Sequence, residues 1–175
     1  NAIYIEGGSA DIQGGSVSDT AAGGSNVSSG IYLNGGSVSL DTGGTVITVS
    51  GSGYGLQARN GASVSLYAGS VSGDTGVFFN GASGGSFSMN GGSVSGVNTG
   101  IRIYNALSGV VISGGTITGT NSYGVDADAS AVSLQNGTVT GNAGSGGVYA
   151  EGGATLNISR NAALAVTGGI RCANG

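Results

Sequence analysis

The sequence has no proline, tryptophan, histidine or lysine, and only one cysteine and one methionine in 175 residues. Each absence removes a class of protein. Without proline, and without a three-residue glycine period, the 40 glycines cannot make a collagen helix. The single cysteine, Cys172, excludes an intramolecular disulfide framework and any cysteine-cluster metal site. Basic side chains are limited to Arg59, Arg102, Arg160 and Arg171, and the net charge is −4. No basic stripe exists to neutralise phosphates, so neither nucleic acid nor anionic lipid is an expected partner. The longest aliphatic runs resemble Val110-Val111-Ile112, far short of the ~20 apolar residues of a membrane-spanning helix. Disorder is disfavoured as well. It needs high charge and few β-branched residues, whereas 7% of residues are charged, 38% are hydrophobic, and Val, Ile and Thr recur throughout.

What is present is a repeat. Cutting the chain before each Gly-aliphatic pair gives starts at Ala2, Gly30, Gly55, Gly76, Gly100, Gly124, Gly147 and Gly169. From Gly30 the intervals are 25, 21, 24, 24, 23 and 22 residues, the length of one solenoid coil with the variation in its loops. Each coil opens with a strictly alternating triplet: Ile3-Tyr4-Ile5, Ile31-Tyr32-Leu33, Leu56-Gln57-Ala58, Val77-Phe78-Phe79, Ile101-Arg102-Ile103, Val125-Asp126-Ala127, Val148-Tyr149-Ala150 and Ile170-Arg171-Cys172. Period two marks a strand with one buried face, so the outer two residues point inward and the middle one to solvent.

Two residues after each triplet stands Gly7, Gly35, Asn60, Gly81, Asn105, Ala129, Gly152 or Asn174. Glycine and asparagine tolerate a left-handed backbone, which predicts a tight corner everywhere except at Ala129, where a different corner is expected. A second alternating strand follows, with inward pairs Ala10/Ile12, Val38/Leu40, Val64/Leu66, Phe87/Met89, Val110/Ile112, Val132/Leu134 and Leu156/Ile158. A third, shorter strand sets one aliphatic residue between hydroxyls, as in Ser16-Val17-Ser18 and Thr138-Val139-Thr140. The expectation is an all-β, single-stranded parallel β-helix. It has three strands per coil, with about seven coils of 21–28 residues plus one terminal strand, forming a single domain over residues 1–175.

The segments 85–96 (GSFSMNGGSVSG) and 147–159 (GVYAEGGATLNIS) resemble the degenerate repeats of microbial surface proteins, including autotransporter-like passengers, which form parallel β-helices of the pectate-lyase type. The resemblance implies a right-handed coil and a place outside the cell or on its surface.

Several sets of residues are candidate sites. Asp126 and Asp128 share one outward face, with Glu151 one coil beyond, a spacing at which carboxylates bind a cation or share a proton. The flanking Arg102 and Arg171, and the lack of His or Lys, favour a solvated charged face over an enzyme; no cofactor is expected. Tyr4, Tyr32, Phe78 and Tyr149, with Tyr104 in the neighbouring column, make an exposed aromatic face suited to a protein contact or to glycan stacking. A solvent-pointing Phe78 suggests that something covers it.

Ser16, Ser18, Thr48, Ser50, Ser70, Ser72, Ser93, Ser95, Thr116, Thr118, Thr138 and Thr140 form a hydroxyl ladder. In outline it is similar to the Thr-x-Thr ranks of antifreeze proteins, although only two coils carry Thr at both positions. Cys172 falls in an inward column, as a small core residue or an intermolecular contact near an open end. Asn26, Asn136 and Asn157 begin Asn-x-Ser/Thr sequons, which chance explains in so Ser/Thr/Asn-rich a chain.

No charged or helical cap is evident at either end. Ala2, Ile3, Tyr4 and Ile5 at one end and Ile170, Arg171 and Cys172 at the other are therefore expected to form an end-to-end interface, with another copy or with further repeats of a longer chain. The expected function is that of an extracellular structural protein, a subunit of a filament, fibre or sheath, or part of a longer rod. Ice binding through the hydroxyl ladder is one alternative; an adhesin or a polysaccharide-binding or polysaccharide-cleaving β-helix is another.

Overall fold

A computed structural model describes residues 1–20, 28–41, 47–81, 84–105, 107–159 and 163–173, with backbone alone at 47 and 48. Among these residues every regular element is a β-strand, and there is no helix. The chain winds as a β-solenoid of three-sided coils. First-side strands are Ile3–Glu6, Ser29–Asn34, Tyr54–Arg59, Val125–Asp128, Val148–Glu151 and Ile170–Cys172. The second side comprises Ser9–Ile12, Ser37–Leu40, Ser63–Leu66, Ser86–Met89, Gly109–Ile112, Ala131–Leu134 and Thr155–Ile158. Gly15–Asp19, Ile47–Gly51, Thr116–Gly119, Gly137–Thr140 and Leu164–Thr167 make the third. Two long strands, Ser70–Asn80 and Ser93–Tyr104, run from the third side of one coil through the corner into the first side of the next.

All pairings are parallel and follow the coil repeat. On the first side Ile3 pairs with Ile31, then Leu56, Val77, Ile101, Val125, Val148 and Ile170 in succession. The Gly-aliphatic cuts are thus the true coil boundaries. The second side is one sheet of seven strands, with Ala10, Val38, Val64, Phe87, Val110, Val132 and Leu156 in one column. At ~4.8 Å per step the stack is about 35 Å long.

The core consists of these columns. In the second coil Ile31, Leu33, Val38, Leu40 and Val49 are each no more than 1% exposed, and their counterparts from the third to the sixth coil are as deeply buried. Each such side chain contributes roughly 1.5–3 kcal/mol on burial. Volume is balanced along a column: Phe79 stacks on Ala58 in register, and its ring meets Phe87 edge-on at 5.7 Å.

Two glycine columns pinch the corner between the third and first sides. A Cβ on Gly55 would lie 2.6 Å from the Ser72 carbonyl oxygen and 2.7 Å from those of Gly76 and a Val71 methyl; Gly30, Gly76, Gly100, Gly124 and Gly147 are equally confined. Opposite them, a Cβ on Gly51, Gly96, Gly119 or Gly141 would collide with the carbonyl of the residue before the next coil's opening glycine. Glycine recurs here because two backbones touch, and none of these positions has a positive φ.

The first corner does use the left-handed region. Gly7, Gly35, Asn60, Gly81, Asn105 and Gly152 all have φ between 52° and 77°. Ala129 corrects the expectation of a different corner: its φ is 54°, like the rest. The ladder imposes this conformation, because the Ala129 N–H donates to the Glu151 carbonyl at 3.1 Å. The buried Ser130 hydroxyl, which accepts from the Leu107 N–H at 3.1 Å, pins the next residue. What differs is the following position, since Gly8, Gly36, Gly61 and Gly153 are also left-handed and Ser130 is not. Asn174 lies outside the described residues.

Candidate interaction faces

The first side carries most of the aromatic and charged side chains, and the ladder decides what each one meets. Its middle column runs Tyr4, Tyr32, Gln57, Phe78, Arg102, Asp126, Tyr149, Arg171. Tyr4 and Tyr32 stack with ring centroids 5.4 Å apart, and the Arg59 guanidinium lies 5.9 Å from the Tyr32 centroid. Gln57 is buried; with its amide oxygen turned toward Arg59 it accepts from Nε at 3.2 Å and Nη2 at 3.1 Å.

Phe78 is not an exposed residue. It is 6% exposed, stacked under Tyr54 at 4.6 Å and met edge-on by Tyr104 at 5.8 Å. The cover anticipated for Phe78 comes from its own chain. Of the five residues expected to form an open aromatic face, only Tyr4, 53% exposed, stands largely free, while Tyr32, Tyr104 and Tyr149 are half-buried. Tyr54 and Tyr123 are the members that sequence reasoning missed. Each stands immediately before a coil-opening glycine and lies over the middle residue of the coil stacked beyond the one that glycine opens, Tyr123 on Tyr149 at 4.7 Å as Tyr54 on Phe78. Burial raises the Tyr54 hydroxyl above its ordinary pKa.

Charge on this side is similarly engaged. Arg102 lies 4.5 Å from the Tyr104 ring centroid, donates to the Tyr104 hydroxyl, and places Nε 3.4 Å from Asp126 Oδ2. Burial pushes the Asp126 carboxyl up; Arg102 opposes the shift, and Glu151 and Asp128 add to it. Tyr149 donates to Glu151 Oε2 at 3.0 Å, and that bond raises the Tyr149 hydroxyl. Asp128 pairs with Glu151 in register and covers the backbone of Gly152. Asp126, Asp128 and Glu151 nevertheless do not make a cation site. Among the described residues no three acidic, histidine or cysteine side chains converge on one point. Asp128 and Glu151 are neighbours in register, but Arg102 engages Asp126 and Tyr149 engages Glu151.

No protein-family model, curated protein or solved structure matches this chain.

On the third side the hydroxyl ladder is in register throughout. Ser16, Thr48, Ser70, Ser93, Thr116 and Thr138 form one column, and Ser18, Ser50, Ser72, Ser95, Thr118 and Thr140 the other, with Ala165 and Thr167 continuing them. The Thr48 side chain lies outside those described. Ser50 Oγ donates to Ser18 Oγ at 3.2 Å, so part of the ladder bonds to itself. Beside the second column, the loops of the third corner enclose an open groove of about 460 Å³ bordered by Ser72, Asp74, Ser95, Val97 and Thr120. Nothing in the repeat pattern announces it.

At the two ends the core columns become accessible. Ala2 and Tyr4 are exposed and Ile3 and Ile5 half-buried; Ile170, Arg171 and Cys172 are all exposed. Cys172 stands in the inward column, paired with Ala150, and its thiol is free. Of the sequons, Asn136 turns its Oδ1 to the Gly137 N–H at 2.7 Å, Asn157 is exposed, and Asn26 lies outside the described residues, as does Arg160.

Proposed function

We propose that this chain is a structural β-solenoid of an extracellular or cell-surface rod, joined end to end with further coils of its own kind and acting without catalysis. One observation carries the reading: the apolar columns stay in register up to both end coils. Ile3, Ile5, Ala10, Ile12 and Val17 at one end, and Leu156, Leu164 and Val166 at the other, pack on the core yet keep part of their surface open, and Ile158 is exposed. In the middle coils the same columns are closed to water. Another coil laid on either end would bury this surface and pair the ladder edge, at roughly 25 cal/mol per Å² of apolar area covered.

The partner is either a second copy, with Ile170–Cys172 pairing against Ala2–Ile5, or the flanking repeats of a longer chain. The resemblance to repeats of microbial surface proteins supports the location and a right-handed coil. Sedimentation velocity and negative-stain electron microscopy of the isolated chain test the joint. Concentration-dependent rods of about one solenoid width are expected. A stable monomer at high micromolar concentration removes the copy-to-copy version.

The ice-binding alternative has the in-register hydroxyl columns in its favour. The Ser50–Ser18 bond and the predominance of Ser over Thr weigh against it, because such hydroxyls satisfy one another and lack methyl groups. Thermal hysteresis at micromolar protein would reverse this order of preference.

A further inference from the structure

The groove on the third corner is separate from the ends and from the aromatic face. It crosses four successive coils, from Ser52 to Thr120, or about 14 Å at the ladder spacing. Its floor is the backbone of Gly51, Gly73 and Gly96, kept low because a Cβ at any of them would strike neighbouring backbone. One wall is the hydroxyl column, with Ser72 and Ser95 paired in register.

The other wall is built by two residues of the long strands where they turn the corner, Asp74 and Val97. Asp74 is oriented by Asn98, whose Nδ2 donates to Asp74 Oδ1 at 2.8 Å. Val97 is thrown outward by the register shift between Gly96 and Thr99 and is 57% exposed. A bulge here re-aims an apolar side chain beside a hydroxyl column, a device over-represented next to functional sites.

Charge and shape select the ligand. Asp74 is the one ionisable side chain among those lining the groove, and the guanidiniums of Arg59 and Arg102 are engaged on the first side, so an anion finds no partner. One carboxylate falls well short of the roughly six to eight oxygen ligands of a protein calcium site. The trough offers hydroxyls, one strong acceptor and an apolar step, which match the hydroxyl rim and C–H face of a pyranose ring, and its length exceeds one ring. We propose that this groove binds a neutral oligosaccharide chain. Val97 lies under a ring face, Asp74 accepts from ring hydroxyls through charge-assisted hydrogen bonds, and Ser72 and Ser95 bond to the chain's edge. The site is complete within the described coils and does not depend on the end-to-end reading.

Affinity electrophoresis tests it. The purified chain is run in native gels containing a β-glucan, an α-glucan, a mannan or a xylan, beside gels with polygalacturonate and with no polymer. Retardation by at least one neutral polymer and none by polygalacturonate is expected. Val97→Asp and Asp74→Ala, both at exposed positions, should each weaken that retardation at least tenfold with an unchanged circular dichroism spectrum, whereas Tyr4→Ala on the first side should not. Free migration in every neutral gel, retention by polygalacturonate alone, or retention unaltered in both groove variants would each overturn the proposal.

Discussion

The ring of Tyr54 lies over that of Phe78, with centroids 4.6 Å apart and planes inclined by 29°. The first residue of one first-side strand thereby closes an outward position of the strand stacked on it, and a phenylalanine on the outer face of a hydroxyl-rich rod becomes a buried one. Tyr123 on Tyr149 repeats the arrangement. The first side is for this reason a satisfied surface over most of its length.

Removing the cover should be felt. Tyr54→Ala is expected to lower stability by about 1–3 kcal/mol, combining the lost aromatic pair with the re-exposure of Phe78. Tyr67→Ala, at a 45% exposed position, should change it by less than ~0.5 kcal/mol. Urea unfolding of the two variants against the parent makes the comparison; equal effects would mean that the Tyr54–Phe78 stack contributes nothing.

The glycine columns give a second contrast. Gly100→Ala places a methyl 2.5 Å from the Gly124 carbonyl oxygen and 2.7 Å from a methyl of Ile117, whereas Gly109→Ala meets nothing within 4 Å and needs no positive φ. The first should cost upwards of ~3 kcal/mol or prevent folding, by overpacking against backbone. The second should be neutral or stabilise by up to ~1 kcal/mol through the unfolded chain. Soluble yield and thermal midpoints separate them.

Ala129 holds a conformation that an L-residue with a Cβ adopts at a cost of roughly 1–2 kcal/mol. Ala129→Gly should therefore raise stability by about 1 kcal/mol. Gly152→Ala at the equivalent corner should lower it, because the new methyl would displace the Asp128 carboxylate as well as strain the backbone. A drop in thermal midpoint for Ala129→Gly would show that the corner is not strained.

Asp126 makes stability depend on pH. Its folded-state pKa is raised, with burial the largest cause. The folded protein thus holds that proton more tightly than the unfolded chain does. The associated stability is fully present below the ordinary carboxylate value of about 3.9 and is lost as pH rises through the folded value. Asp126→Asn should remove this loss, so the parent weakens relative to the variant as pH increases from about 3. A parent that gains on the variant over the same range would mean that the Arg102 ion pair outweighs desolvation.

Much of this architecture is legible in the residues. Alternation in Ile31-Tyr32-Leu33 and its seven counterparts identifies inward and outward positions, and the Gly-aliphatic cuts predict the register, because both follow from strand geometry inside one short segment. The reason for those glycines is not legible: Gly55 is required by the approach of Ser72, from the far side of its own coil, and of Gly76, which opens the next. The Asp126, Asp128 and Glu151 set shows the same limit. Spacing brings them to one face, but whether carboxylates converge depends on rotamers and on the neighbours Arg102 and Tyr149.

The amino-acid sequence alone determined the three-sided coil, its length, its columns and the order of residues along each face, since a period of two and a repeat of 21–28 residues leave the chain few other ways to bury its aliphatic residues. Only the tertiary structure decided that Phe78 is covered, that Ala129 bends like an asparagine, and that a groove opens beside Val97. Each of these depends on a residue of a neighbouring stacked strand, distant in sequence and brought into contact across a corner whose length varies. Local periodicity cannot encode such a contact, because it exists only once neighbouring coils have stacked.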